Sequence, residues 1–285
     1  MTVKKLSNEN AVVEVHADGE RTFMRNLIYT ITAATLIVSL SAAGQEPQPF
    51  STAESDELFD APIRKETVDL GASPYYPDGE DSHPTALSCY YFPDFMVKEH
   101  DLGGRGAEWL SILLNPHETP ECKSSHEPGE RVIEYPEWEG YFMGVKGNLV
   151  LFHGSDTVNG GLPFAVYDSS NGKKIFEDFV YYERAASSSP VDVVSTSAGY
   201  LLTYTRVALM DCNLNSEGPA CWNEINAEYA LRSDDMPLCT GYDHIADLVG
   251  TDQVESVIAY AVEVTLSPLP SIQSVAGPIR CWASH

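Results

Sequence analysis

Six cysteines that all follow a short apolar segment constrain the fold of this chain more than any other feature of its sequence. The apolar segment covers residues 27–40, and no cysteine precedes it. Such a segment is typical of secretory signals, and thiols that leave the reducing cytosol pair as disulfides. The sequence therefore predicts an exported, periplasmic or extracellular fold that is stapled by disulfides. The cysteines are Cys89, Cys122, Cys212, Cys221, Cys239 and Cys281.

Residues 24–44 have the three parts of a signal peptide. Arg25 supplies the positive charge, residues 27–40 supply the apolar stretch, and residues 41–44 supply small side chains for cleavage. A membrane-spanning helix needs about 20 predominantly apolar residues, and this stretch has 14. We therefore expect a cleaved signal and no stable membrane anchor. Residues 1–23 are polar and mixed in charge, so we expect either translation that begins at Met24 or an extended N-terminus.

The charge of the chain excludes one class of partner. Acidic residues number 42 and basic residues 17, which gives a formal net charge of −25. A charge of this sign and size repels phosphate backbones, so we expect no nucleic-acid partner. Residues 45–87 are rich in acids and proline and poor in large apolar side chains. Because such a segment buries little surface, it is predicted to be an extended arm that precedes a β domain over residues 88–285.

Short runs of β-branched and aromatic residues, separated by turn residues, dominate the chain beyond residue 88. These residue types favour pleated strands, and the absence of alternating helices argues against a parallel α/β sheet. The sequence predicts a mainly β fold with a single antiparallel β domain. The predicted strands are 90–102, 107–114, 132–135, 141–145, 148–153, 162–167, 173–182, 191–196, 200–210, 257–266 and 279–282.

The turns sharpen this prediction. The glycine-rich stretch 103–106 and the pair Asn171-Gly172 each join two predicted strands, as is typical of hairpins. Residues 147–178 resemble one blade of a β-propeller, but no repeat is sustained along the chain. A sandwich and a propeller-like fold are therefore both compatible with the sequence. Helices are predicted at 221–232 and 244–248.

The spacing of the cysteines favours one disulfide pattern among the 15 that six cysteines allow. Cys212 and Cys221 flank a short loop that contains Gly218-Pro219, so a local bond is expected there. A hairpin centred near Gly104 would place Cys89 opposite residue 119, close to Cys122. The remaining pair is Cys239 and Cys281. No Cys-x2-Cys pair, which zinc sites favour, occurs in the chain.

One loop resembles the start of an EF-hand calcium loop, with oxygen-bearing side chains at alternate positions: Asp211, Asn213, Asn215 and Glu217. Ser216 stands where that motif has glycine, and Trp222 stands where it has a bidentate carboxylate. We therefore expect a polar loop closed by Cys212–Cys221 and no cofactor, with calcium as the alternative.

A cluster of carboxylates and aromatic side chains is the other candidate site, formed by Glu134, Glu137, Trp138, Glu139 and Tyr141. Aromatic rings beside carboxylates suit sugar binding, and paired carboxylates can hydrolyse glycosides. A solvated turn would have the same composition. Because no catalytic motif is present, we expect a binding or interaction module for a protein or carbohydrate partner. The alternative is a secreted carbohydrate-active hydrolase that uses the carboxylates near Trp138.

Overall fold

The computed structural model describes residues 58–76, 85–114, 119–183, 189–231, 233, 235–249, 254–267 and 269–284. The predicted signal peptide and the segment before it lie outside these residues, as does much of the predicted arm. Among the described residues, no helix has both the length and the apolar character needed to cross a membrane. The described residues all lie within one compact unit, residues 53–285.

Two sheets with mostly antiparallel pairing build the fold, which confirms the predicted mainly β class. The first sheet contains β1 (Arg64–Gly71), β2 (Thr85–Tyr91), β3 (Phe95–Asp101), β4 (Trp109–Leu114) and β5 (Arg131–Ile133), in that order. The second sheet contains β6 (Gly140–Lys146), β7 (Leu149–Gly154), β8 (Gly161–Asp168), β9 (Lys173–Tyr181), β10 (Val191–Thr196), β11 (Gly199–Leu209), β12 (Cys239–Thr240), β13 (Ser256–Thr265), β14 (Ser271–Ser274) and β15 (Arg280–Ala283).

The second sheet runs in the order β12-β15-β13-β11-β9-β8-β7-β6, with β10 paired to β11 and β14 paired to β13. Strands β6 to β9 form the up-and-down meander that resembled a propeller blade. A blade ends after four strands, whereas this meander continues through β9 into β11 at Val180 and Arg206. The propeller resemblance is therefore local.

The two sheets share a hydrophobic core, which matches the sandwich alternative. Val97 and Ile112 of the first sheet belong to the same buried cluster as Val150 and Phe152 of the second. Between the sheets, the backbone N–H of Phe142 donates to Glu99 Oε2 at 2.6 Å. Aromatic and β-branched side chains on the facing strands produce this packing, because each strand turns alternate residues toward its neighbour sheet.

The predicted strand over residues 90–102 is wrong in one respect, since the chain turns in its middle. Residues 92–94 form a tight connection in which the N–H of Phe92 donates to the carbonyl of Phe95 at 2.8 Å. Pro93 lies in this connection and lacks the N–H that a continuous strand uses. Strands β2 and β3 therefore pair with each other, and Cys89 lies opposite Lys98 rather than residue 119.

The predicted arm also needs correction, because part of it is a strand of the first sheet. β1 pairs with β2 from Arg64 to Gly71. Six of its eight residues are exposed, so the strand is held mainly by its backbone hydrogen bonds. The acidic, polar composition that indicated an arm is equally suited to an edge strand. The β fold therefore begins well before residue 88.

All three predicted disulfides are present. Cys89–Cys122 and Cys212–Cys221 each have Cα atoms 5.8 Å apart, and Cys239–Cys281 has Cα atoms 4.4 Å apart. The last bond joins β12 and β15, which run parallel with these two cysteines opposite each other.

Three helices interrupt the strands in the described part of the chain: α1 (Leu214–Glu217), α2 (Pro219–Tyr229) and α3 (Tyr242–Val249). The two predicted helices correspond to α2 and α3. Helix α2 ends at Tyr229, before the predicted residue 232, because Ala230 adopts a left-handed backbone with φ of 47°.

Candidate functional site

A surface pocket with a volume of about 360 Å³ is the strongest candidate for a binding site. We call it the aromatic pocket, and its side walls consist of Tyr75, Tyr76, Tyr135 and Trp138 together with the carboxylates of Glu108 and Glu139. These residues come from three connections that lie near the first sheet: the chain after β1, the turn from β3 to β4, and the connection from β5 to β6.

The floor of the aromatic pocket is the glycine-rich turn between β3 and β4. Gly103 and Gly106 have φ values of 77° and 87°, a left-handed backbone that glycine adopts without strain. A Cβ atom on Gly104 would lie 2.9 Å from a ring carbon of Tyr75. The missing side chain therefore makes room for the Tyr75 ring to lie against the turn.

One wall is fixed by hydrogen bonds that run from the chain after β1 to the turn. The Ser73 hydroxyl donates to the carbonyl of Leu102 at 2.6 Å and accepts from the N–H of Tyr75 at 3.2 Å. The Tyr75 hydroxyl donates to Glu108 Oε1 at 2.6 Å. This hydrogen bond to a carboxylate raises the pKa of Tyr75 above its ordinary value.

The opposite wall is the connection from β5 to β6. The carbonyl of Glu134 accepts from the N–H groups of Glu137 at 2.9 Å and of Trp138 at 3.3 Å, which closes a tight turn. Trp138 packs against the core that the two sheets share. Its buried indole N–H has no hydrogen-bond partner among the described residues. Tyr135 is 77% exposed at the mouth of the aromatic pocket.

Of the five residues predicted as a binding cluster, two line the aromatic pocket and three do not. Trp138 and Glu139 line the aromatic pocket. Tyr141 lies behind its floor, where its hydroxyl accepts from the N–H of Gly106 at 3.1 Å. Glu137 faces away and pairs with Arg131 and with the hydroxyl of Tyr167, while Glu134 is exposed and contributes its backbone carbonyl.

Of the six side-wall residues, the sequence prediction missed four, Tyr75, Tyr76, Glu108 and Tyr135. The adjacent pair Tyr75-Tyr76 carried a usable signal, since two large aromatic residues stand out in an otherwise polar, acidic segment. Their meeting with Trp138 could not be predicted, because it depends on the pairing of β1 with β2.

A second cavity of about 510 Å³ lies on the other side of Trp138, where β9 and β11 diverge. Inside it, Asp178 accepts from the Tyr204 hydroxyl at 2.5 Å and pairs with Arg206 Nε at 2.8 Å. Arg206 also donates to the Tyr260 hydroxyl at 3.2 Å. Because burial disfavours the charged form, the pKa values of Tyr204 and Tyr260 are raised. These polar groups satisfy one another and brace the two diverging strands.

A third cavity of about 390 Å³ includes His153 at the end of β7. His153 Nδ1 lies 2.9 Å from the carbonyl of Gly154. This is the backbone bond that a strand-end histidine is expected to form.

The EF-hand-like loop uses its polar side chains to cap a helix. Asn213 Oδ1 accepts from the N–H groups of Asn215 at 2.9 Å and Ser216 at 3.0 Å. Glu217 Oε1 in return accepts from the N–H of Asn213 at 2.8 Å. Asp211 is exposed at the start of the loop. This reciprocal cap accounts for the polar pattern, and calcium binding stays a prediction.

No group of three or more histidine, cysteine or acidic side chains suited to a metal ion occurs among the described residues. Comparisons of the chain with family models, with curated proteins and with solved structures found no match. The geometry and chemistry of the aromatic pocket are therefore the basis for assigning a function.

Proposed function

We propose that this protein is an exported binding module that takes its ligand at the aromatic pocket. The observation that carries this proposal is the clustering of exposed aromatic rings around one depression. Tyr75, Tyr76 and Tyr135 are 52%, 41% and 77% exposed, and all three line the same pocket. Single exposed aromatic residues are common on proteins, whereas a cluster around a pocket is typical of an interaction site.

The chemistry of the pocket suits recognition. Tyrosine and tryptophan present large rigid surfaces with few rotatable bonds, so a bound ligand gains contact area at a low cost in side-chain entropy. The hydrogen bonds of Ser73, Tyr75 and Tyr141 hold the walls and floor in place. A pocket that is already formed spends little binding free energy on ordering.

Export rests on the signal-like segment at 24–44 and on the three disulfides, which are typical of oxidising compartments. A protein or a carbohydrate remains the proposed partner. The charge of −25 argues against a nucleic acid.

The test is a binding screen with a variant of the pocket. Immobilised full-length protein is exposed to neutral oligosaccharides and to basic, acidic and neutral peptides, and binding is followed by surface plasmon resonance. We expect at least one class to bind and Tyr75→Ala/Tyr135→Ala to weaken that binding by about tenfold or more, as loss of two aromatic contacts predicts. The matched control is Tyr182→Ala, whose ring is 40% exposed outside the aromatic pocket. The control should bind like the wild type. If the double variant Tyr75→Ala/Tyr135→Ala also binds like the wild type, the proposal is contradicted.

One observation supports the hydrolase as a second candidate. Glu108 and Glu139 line the same pocket as the aromatic rings, which is the combination that glycoside hydrolysis uses. Release of reducing ends from the oligosaccharides of the screen, abolished by Glu139→Gln, would favour hydrolysis over binding. Bound oligosaccharide that stays intact over the same period excludes it.

A further inference from the structure

We infer that the ligand of the aromatic pocket is an organic cation, the lysine or arginine side chain of a basic protein segment. This inference rests on the proposed function, since it names the ligand class for the same site. Three features of the described residues lead to it: the local charge, the free carboxylate oxygens and the exposure of the aromatic side chains that line the pocket.

The charge at the pocket is negative in spite of one basic residue. Arg105 contributes to the lining, but its guanidinium pairs with Asp156 beside the pocket. Glu108 and Glu139 add two further carboxylates. The charges at and beside the pocket are therefore three carboxylates and one guanidinium, so the site attracts cations and repels anions.

The carboxylates of the pocket keep acceptor capacity for a ligand. Tyr75 donates to Oε1 of Glu108 and so fixes that carboxylate in place, while Oε2 has no hydrogen-bond donor among the described residues. The Glu139 carboxylate has neither an ion pair nor a side-chain hydrogen bond within the same residues. An ammonium or guanidinium group supplies the donors that these oxygens lack.

Aromatic rings next to carboxylates favour a cation over a neutral ligand. The face of a tyrosine or tryptophan ring is electron-rich, and an exposed contact of a cation with it is worth roughly two- to fivefold in affinity. The same chemistry already operates inside this protein, where the guanidinium of Arg64 lies 3.8 Å from the ring centre of Tyr91 and that of Arg280 lies 4.6 Å from Tyr181.

The charge of the whole chain extends this preference over a longer range. A net charge of −25 steers basic partners toward the protein and does so less strongly as salt is added. A partner that presents its basic side chain from outside also fits the position of the pocket, because Tyr135 and Tyr75 stand exposed at its mouth.

The test compares two capped heptapeptides, one of alternating lysine and serine and one with glutamine in place of lysine, by isothermal titration calorimetry with the full chain. We expect the lysine peptide to bind at least about tenfold more tightly in 20 mM NaCl and to weaken severalfold in 200 mM NaCl. Glu108→Gln/Glu139→Gln should weaken it by about three- to tenfold, as the loss of two exposed ion pairs predicts.

A matched control separates the pocket from the general field of the protein. Asp192→Asn/Glu224→Gln also removes two negative charges, but from exposed positions outside the pocket. We expect less than about a twofold change in the affinity for the lysine peptide, since distant exposed charges are screened. An equal loss in both double variants would overturn the inference, because the attraction would then be general.

The remaining outcomes distinguish the inference from the proposed function. If the glutamine peptide or a neutral oligosaccharide binds as tightly as the lysine peptide, and Tyr135→Ala weakens that binding, the inferred ligand class is wrong. The aromatic pocket then remains the proposed binding site. If no probe binds, or Tyr135→Ala changes nothing, both proposals fail.

Discussion

Two groups of charged residues at the first sheet differ in how their charges are satisfied. In the closed group, Lys98 and Glu130 have completely buried side chains and lie 3.0 Å apart. Lys98 Nζ also donates to the carbonyls of Lys123 at 3.3 Å and Ser125 at 3.1 Å. In the open group, Glu108 and Glu139 line the aromatic pocket.

The closed group shows what full satisfaction of a buried charge requires. Besides Lys98, Glu130 accepts from the Ser111 hydroxyl at 2.5 Å and from the N–H of Glu127 at 2.7 Å. These hydrogen bonds and the charge of Lys98 overcome the effect of burial and hold the pKa of Glu130 below its ordinary value. The open group has a tyrosine hydroxyl as its sole side-chain donor within the described part of the chain. The contrast indicates that the closed group supports the fold and the open group is available to a ligand.

The largest expected effect comes from breaking the closed group. Lys98→Met leaves Glu130 buried without its cation, which should lower the free energy of unfolding by about 3–5 kcal/mol. Urea denaturation followed by circular dichroism measures this. Lys98→Met/Glu130→Met removes both charges and should recover much of the loss. If the free energy of unfolding of Lys98→Met lies within about 1 kcal/mol of the wild-type value, the closed group does not support the fold.

The disulfide next to the closed group should also have a large effect on stability. Cys89→Ser/Cys122→Ser opens a loop of 33 residues, which costs about 3.7 kcal/mol in the chain-entropy model. Cys212→Ser/Cys221→Ser opens a loop of nine residues and should cost less, about 2.6 kcal/mol. The same denaturation experiment ranks them, and the reverse order would contradict an account based on loop length.

A smaller effect should appear as a pH dependence at His100, which lies between the two groups. Its ring stacks on Trp109 with centres 4.8 Å apart, and its Nδ1 is buried without a partner in the described part of the chain. Burial lowers the pKa of His100 below 6.5, although Glu108 and Asp101 oppose this. The unfolded chain therefore binds more protons, and stability falls as the pH drops below about 6.5.

The check is the melting temperature between pH 7.5 and 5. His100→Gln removes the titrating group, so its melting temperature should fall less over this range than that of the wild type. The Glu130 carboxylate contributes at lower pH, since a lowered pKa gives stability that is lost only as the pH falls through that pKa. Parallel curves for the two proteins would contradict the role of His100.

The smallest effect on stability is expected at the exposed rim of the aromatic pocket, beside the open group. Tyr135→Ala changes a side chain that is 77% exposed, so the free energy of unfolding should stay within about 0.5 kcal/mol of the wild type. A loss above 1.5 kcal/mol would mean that this ring supports the fold.

Much of the fold could be predicted because its signals are local. Hairpins at Gly103–Gly106 and Asn171-Gly172 follow from turn chemistry, and the disulfide pattern follows from spacing. The register predicted for Cys89 is nevertheless wrong, because Pro93 divides the strand and Cys89 lies opposite Lys98. The bond forms because the chain beyond β4 returns to Cys89.

The candidate site could be predicted in part. Trp138 and Glu139 adjoin in sequence, and the carboxylate beside the indole marked them as a pair. Tyr75 and Glu108 are 33 residues apart and meet because β1 joins the sheet and the glycine turn makes room for a ring. Such contacts depend on tertiary pairing, which residue spacing does not encode.

The indole signals of the four tryptophans provide the most direct test of the aromatic pocket as a cation site. The probe is Nα-acetyl-lysine amide, which keeps its charged side-chain ammonium. In a nitrogen-15 NMR titration with this probe, we expect the Trp138 indole signal, assigned with Trp138→Phe, to shift. The signals of Trp222 and Trp282, which lie outside the aromatic pocket, should stay in place. A Trp138 signal that does not move while the lysine derivative shifts Trp222 or Trp282 would contradict the account.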